Sequence, residues 1–225
     1  MLFSNTLRPP DVAEIYMNGT KIDYASSIRF LGLIMDDKLK FNNHINLIKE
    51  KISKNAGVLY RLKQVVPHQT LVSVYRCFVE CYLNYCITVF GNAYHCHINQ
   101  LETAQKKCVR ILANQPPLSH TNPLFSELKL LKLSDIYKYN IAIYMYKNID
   151  KFASLLQPNI HSTRSGIHYS PQIHRLTLTQ NQSLTFQAPK IWNLIPQDIR
   201  NSPSIFSFKR KLKNHLISLY PTLDQ

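Results

Sequence analysis

The sequence predicts a mainly α-helical fold: an antiparallel helical bundle, preceded by a small β-hairpin and followed by a mixed, basic C-terminal segment. Three observations carry that expectation. From about residue 42 onward, apolar residues recur every three or four positions, which lines them up on one face of a helix. Before that point the apolar runs are short and surround Asn18-Gly19, a dipeptide suited to the positive φ angles of a tight hairpin. The 225 residues are 45% apolar, enough to bury about 70% of the extended surface and too apolar for a disordered chain.

Taken in order, Glu14-Ile15-Tyr16-Met17 and Thr20-Lys21-Ile22 are strands on either side of that turn, and Ile28 to Met35 is a third apolar run. So small a piece is not stable alone, so residues 1–41 read as part of a larger sheet. The second part, residues 42–150, is helical. Ile45, Ile48, Ile52, Ala56, Leu59 and Leu62 form the stripe of its first helix, which Asn42 or Asn43 is expected to cap. Pro67 fits the first turn of the next helix, where a missing N–H costs nothing. That helix is expected to turn Leu71, Val74, Tyr75, Phe78, Tyr82 and Tyr85 inward and to run to Gly91-Asn92.

A third helix spans about 95–113, with Ile98, Leu101, Ala104, Cys108 and Ile111 or Leu112 inward, and stops before Pro116-Pro117. A short apolar stretch from Pro123 to Leu133 leads into a helix from Leu133 or Ser134 to Lys147. Short connections make successive helices antiparallel. The third part, 151–225, opens with a Ser-, Asn-, His- and Pro-rich stretch to Tyr169 that reads as a linker or exposed loop. A weak strand pair is expected over Leu176 to Phe186. A last helix begins at Ser202-Pro203 and turns Ile205, Phe208, Leu212, Leu216 and Leu219 inward.

Charge narrows the function. Against 13 Asp and Glu stand 27 Lys and Arg, a net +14, a field suited to phosphate backbones or anionic membranes. With five glycines the chain has no phosphate-cradling loop and no dinucleotide fingerprint, so a small-molecule substrate is not expected. Five cysteines, an odd number without a signal peptide, suit an intracellular setting, nucleus or cytoplasm, rather than secretion. The most apolar run, Leu71 to Gly91, contains Arg76 and Glu80 and reads as a core helix, not a membrane span.

Candidate chemistry is sparse. Asp36-Asp37 is better suited to a helix start than to catalysis, because a two-metal site needs carboxylates converging from separate strands. Cys77, Cys81, Cys86, His95, Cys96, His97 and Cys108 are dense enough to suggest zinc, yet their spacing fits no standard zinc pattern. Small residues four apart also recur on packed helices. His68 and His120 are expected at helix starts or in loops, and Trp192 in the core. No catalytic residue and no metal site is therefore assigned. The basic clusters carry more. Lys106, Lys107 and Arg110 share the helical face opposite the apolar stripe, and Lys209, Arg210, Lys211 and Lys213 flank the last one. They are candidate contacts to an RNA or DNA backbone, without sequence preference.

Several segments, in their order along the chain, tie these parts together. They are Arg29 to Ile45 with Phe30-Leu31-Gly32, Lys51 to Arg61, Tyr75 to Cys86 with Phe90-Gly91, and Gln105 to Leu112. Pro123-Leu124-Phe125-Ser126-Glu127-Leu128, Ala188 to Pro196 and Phe208 to Lys213 complete the set. Together they resemble the reverse transcriptase of non-LTR, LINE-type retrotransposons, most nearly the jockey-like group. Gln187-Ala188 stands where that pattern has Gly before Pro189. The resemblance implies the end of a palm with its primer-grip hairpin, a helical thumb and the segment after it. It further implies that Phe30, Leu31 and Gly32 help seat the primer end and that the thumb grips a template–primer duplex. The catalytic aspartates are expected upstream of this chain, so it is expected not to be an enzyme by itself. Magnesium would serve only the intact polymerase, and the remaining palm and fingers are a candidate partner. The alternative is a domesticated, non-catalytic module that binds RNA, DNA or a protein partner.

Overall fold

Asn18 (φ 50°) and Gly19 (φ 77°) close a two-residue turn between β1 (Ile15–Met17) and β2 (Thr20–Ile22). The computed structural model describes residues 1, 3, 14–155, 158–159, 168–171 and 183–221. The apolar run from Ile28 to Met35 is two strands rather than one. Leu31 (φ 47°) and Gly32 (φ 87°) turn it back on itself between β3 (Ser27–Phe30) and β4 (Leu33–Asp36), pairing Phe30 with Leu33. Positive φ at both central residues matches the twist of the flanking strands. An apolar Leu at the first turn position hides that turn from a hydropathy reading. β1, β2 and β3 are exposed, whereas β4 packs on the first helix and buries Leu33.

Helix α1 (Asn42–Leu62) buries Ile45, Ile48, Ile52, Ala56 and Leu59, the stripe the sequence predicts. Its start is secured differently. Neither Asn42 nor Asn43 caps it, and the residue before the helix, Phe41 (φ 58°), supplies no side-chain bond. Instead Asp36 gathers the connecting turn: Oδ1 accepts from the N–H of Lys38 (3.2 Å) and Lys40 (2.9 Å), and Oδ2 from that of Phe41 (2.7 Å).

Pro67 lies just before α2 (His68–Tyr75), which continues through a π-helical turn, Arg76–Glu80, into α3 (Cys81–Asn84). That wider turn changes the period. Leu71, Tyr75, Val79 and Leu83 are buried at steps of four, while Phe78 and Tyr85, expected inward, are about half exposed. The helix also ends earlier than Gly91, at Cys86, whose φ of 54° precedes a short α4 (Ile87–Phe90). Gly91 is needed for close packing: a Cβ there would lie 2.6 Å from the Tyr137 ring and 2.4 Å from the Ile87 carbonyl oxygen.

Helix α5 (His95–Leu112) buries Ile98, Leu101, Gln105, Cys108, Val109 and Leu112. It ends in a Schellman motif with Asn114 (φ 52°) in the left-handed region. The Asn114 N–H donates to the Ile111 carbonyl at 3.2 Å, and that of Gln115 to Arg110 at 2.9 Å. The stretch after Pro123 holds α6 (Asn122–Glu127), and α7 (Leu133–Lys147) begins where expected.

The stretch read as a linker continues the helices at its start, with α8 (Ile149–Leu155) burying Phe152. β5 (Pro158–Asn159) pairs with β6 (His168–Tyr169), where Tyr169 is buried. Of the expected strand pair, residues 176–182 lie outside the described residues, and Leu184 to Phe186 are the first turn of a helix, α9 (Leu184–Asn193). A short α10 (Gln197–Arg200) follows. The last helix, α11 (Ile205–Ser218), is capped by Ser204, whose Oγ accepts from the Ser207 N–H at 3.3 Å. It buries Phe208, Leu212 and Leu216, but Leu219 falls beyond its end and is exposed.

One buried cluster runs through these helices, from Leu33 to Tyr220. Phe208 is stacked on Tyr146 at 4.4 Å and meets Trp192 at 5.9 Å, so Trp192 is a core residue as expected. Gln105 and Tyr220 bring polar groups into this cluster and pair them. Gln105 Nε2 donates to the Tyr75 hydroxyl (3.1 Å) and the Leu131 carbonyl (2.9 Å), while its Oε1 accepts from the Leu133 N–H (2.9 Å). The Tyr220 hydroxyl donates to Asp135 Oδ2 at 2.8 Å and accepts from the Lys132 N–H at 3.1 Å, tying the chain beyond α11 to the start of α7.

Candidate nucleic-acid interface

Helices α1 and α5 lie side by side, and a groove of about 790 Å³ runs along their outer seam. Each helix contributes a second, polar stripe beside its buried one. On α1 that stripe is Lys49, Ser53 and Tyr60, continued by Lys63; on α5 it is Gln100, Thr103, Lys107 and Arg110. Helical spacing brings each set to one side of its helix. Among the described residues, four cations and no carboxylate line this groove. Side-chain bonds fix three of them: Lys49 Nζ donates to Gln100 Oε1 (2.9 Å), Lys63 Nζ to Asn114 Oδ1 (3.1 Å), and Arg110 Nε to the Ser119 carbonyl (2.9 Å). The Lys63 ammonium also lies 4.5 Å from the centre of the Tyr60 ring.

The cluster expected on α5 is thus divided. Lys107 and Arg110 face the groove. Lys106 lies toward Lys132, whose ammonium is held below its usual pKa first by burial, with Asp135 opposing and Lys106 adding to the shift. The second cluster, Lys209, Arg210, Lys211 and Lys213, sits on α11, which packs against α6, α7 and α10. Arg210 and Lys211 are exposed and the other two half-buried, with Lys211 Nζ 3.4 Å from the Asp198 carbonyl oxygen.

Phe30, Leu31 and Gly32 form the tip of the second hairpin, with Phe30 and Leu31 largely exposed. The Tyr85 hydroxyl donates to the Leu31 carbonyl, anchoring the tip to the end of α3. Between hairpin and helices lies a cavity of about 330 Å³, lined by Arg29, His44, Lys51, Tyr82 and Tyr85 among others. The Lys51 ammonium stands 4.8 Å from the Tyr82 ring centre. His44 Nδ1 accepts from the Ile34 N–H at 3.4 Å, and its ring meets Phe90 edge-on at 5.0 Å. Burial, and secondarily the charge of Lys51, pull the His44 pKa down to about 4.

The cysteine and histidine group does not converge: among the described residues no three or more His, Cys, Asp or Glu come together as a metal site. Cys81 instead donates its thiol to the Cys77 carbonyl at 2.7 Å, and Cys108 is buried. His68 opens α2, and His120 lies in the connection before α6. Among the described residues no helix is long and apolar enough to cross a membrane. Sequence reasoning missed Lys49, Tyr60 and Lys63 as members of a site. Their signal was present as a stripe one position after the apolar one, but only α5 makes it a groove wall.

No protein-family model matches the chain, and no solved structure does. Curated relatives do. The chain is 26% identical over 169 residues to the RNA-directed DNA polymerase from mobile element jockey of Drosophila funebris, covering 73% of this chain and 18% of that protein. It is 27% identical over 126 residues to the jockey polymerase of Drosophila melanogaster, covering 54% of this chain and 14% of the relative. To the probable RNA-directed DNA polymerase from transposon X-element of Drosophila melanogaster it is 19% identical over 187 residues, 82% of this chain and 20% of the relative. The chain thus spans a fifth or less of the length of these relatives. Its homologues are RNA-directed DNA polymerases of the non-LTR retrotransposons jockey and X-element, and the kinship the sequence suggests holds over most of the chain.

Proposed function

We propose that this chain is a segment of a jockey-type reverse transcriptase that holds the sugar–phosphate backbone of a template–primer and does not itself add nucleotides. The observation that carries this reading is the acid-free groove between α1 and α5, where Lys49, Lys63, Lys107 and Arg110 converge. Phosphates neutralised there release counterions, which gives affinity without sequence preference. Lys209, Arg210, Lys211 and Lys213 would add a second backbone contact, and Phe30, Leu31 and Gly32 would sit against the primer end. Asp36 spends both oxygens on backbone N–H groups, which supports a structural rather than a metal-holding role for it. Magnesium would then serve the intact polymerase alone. The exposed apolar side chains of β1 and β3, such as Met17 and Ile28, suit contact with the rest of a palm.

Binding to a labelled primer–template should weaken steeply as salt rises from about 50 to 200 mM. Four engaged phosphates give a log–log slope near −4, and replacing Lys107 and Arg110 by Ala should flatten it by about two. Absence of salt-sensitive binding at the low end would overturn the proposal. Primer extension with magnesium above a heat-killed control would overturn its non-catalytic part.

A further inference from the structure

We infer that the α1–α5 groove receives an unpaired nucleic-acid strand, with Tyr60 as the stacking surface for a base and the flanking cations on successive phosphates. This rests on the backbone-binding reading above and adds what kind of strand is bound. Tyr60 is 56% exposed although it stands on a helix that buries five of its aliphatic neighbours. It projects into the groove, among the cations, rather than toward the core. A duplex would present only phosphates to such a wall, because its bases are stacked inside. An unpaired strand exposes the π faces of its bases, and an aromatic ring beside a line of cations suits both parts of it.

Lys63 covers one face of the ring at 4.5 Å and is held there by Asn114, so the opposite face is the one a base would take. Lys49 and Lys63 are separated by about 21 Å along α1 at 1.5 Å per residue. An unpaired strand can extend beyond the duplex rise of about 3.4 Å per nucleotide, so that span takes at most about six of its nucleotides. Other candidates carry less: the His44 ring lines the neighbouring cavity, but its Nε2 is buried and has no hydrogen-bond partner among the described residues.

The test uses the full chain, a labelled oligothymidine of about 12 nucleotides and a blunt hairpin duplex of similar charge, compared by anisotropy at one salt concentration. Tyr60→Ala should weaken oligothymidine binding about 5- to 150-fold, the value of one lost base stack, and change duplex binding less than about twofold. Tyr60→Phe should keep the affinity of the unmodified chain within about twofold. With an oligonucleotide carrying 5-iodouracil, the photo-crosslink should map to Tyr60. If Tyr60→Ala leaves oligothymidine binding unchanged, or weakens both probes equally, the stacking role is refuted while backbone binding stands. If the unmodified chain binds neither probe, the function proposed above fails, and this inference with it.

Discussion

Lys63 Nζ lies 3.1 Å from Asn114 Oδ1, and Lys49 Nζ lies 2.9 Å from Gln100 Oε1; both pairs are 51 residues apart, so α1 and α5 run parallel. That direction follows from an up-down-up order in which α2 and α3 return the chain between them. Asn114 serves two ends at once. Its backbone closes α5 in the left-handed region and its side chain holds the cation at the end of the groove.

Replacing Asn114 separates these roles. Glycine tolerates positive φ, so Asn114→Gly should leave stability within about 0.5 kcal/mol of the unmodified chain. A β-branched residue does not, and Asn114→Val should cost about 1–2 kcal/mol. Urea denaturation of both variants decides it, and equal midpoints would contradict the assignment.

Gln105 is the buried polar hub of the bundle. Gln105→Leu fits an apolar core by hydropathy but strands the Tyr75 hydroxyl, the Leu131 carbonyl and the Leu133 N–H. An expected loss of about 2–4 kcal/mol follows from leaving buried groups unpaired. Thermal unfolding should show a midpoint well below that of the unmodified chain; an unchanged or higher midpoint would show that the amide network is dispensable.

The two adjacent aspartates are predicted to differ sharply. Asp36→Ala removes the acceptor for three backbone N–H groups in the turn before α1 and should cost about 2–3 kcal/mol. Asp37 accepts no such set, and Asp37→Ala should stay within about 0.5 kcal/mol. Chemical denaturation of the pair is sufficient, and indistinguishable variants would remove Asp36 from its structural role.

The buried His44 makes stability depend on pH. Its pKa in the folded chain is about 4, below the 6.5 of the unfolded one, so the unfolded state binds more protons between those values. Stability is therefore fully present above about pH 6.5 and declines as pH falls toward 4, at about 1.4 kcal/mol per unit and about 3 kcal/mol in all. His44→Asn keeps an acceptor for the Ile34 N–H and cannot titrate. Its stability, measured from pH 7 to 4, should fall by that much less than the unmodified chain's. Parallel curves would show that His44 carries no such linkage.

What the sequence determined by itself is what neighbouring residues and their order encode: helices α1, α5, α7 and α11, the Asn18-Gly19 hairpin, the stripe of α1 and the kinship with jockey-type polymerases. All but the kinship, which rests on the order of segments along the chain, depend on residues within a few positions of one another. Tertiary structure decided the rest. The π turn after Tyr75 shifts the inward face to Val79 and Leu83, the turn at Leu31-Gly32 splits an apolar run, and Gln105 takes a core position because Tyr75, Leu131 and Leu133 complete its bonds. The groove belongs to this second class. Lys49, Tyr60 and Lys63 become a wall only beside Lys107 and Arg110, and long-range packing, not spacing along the chain, sets that neighbourhood.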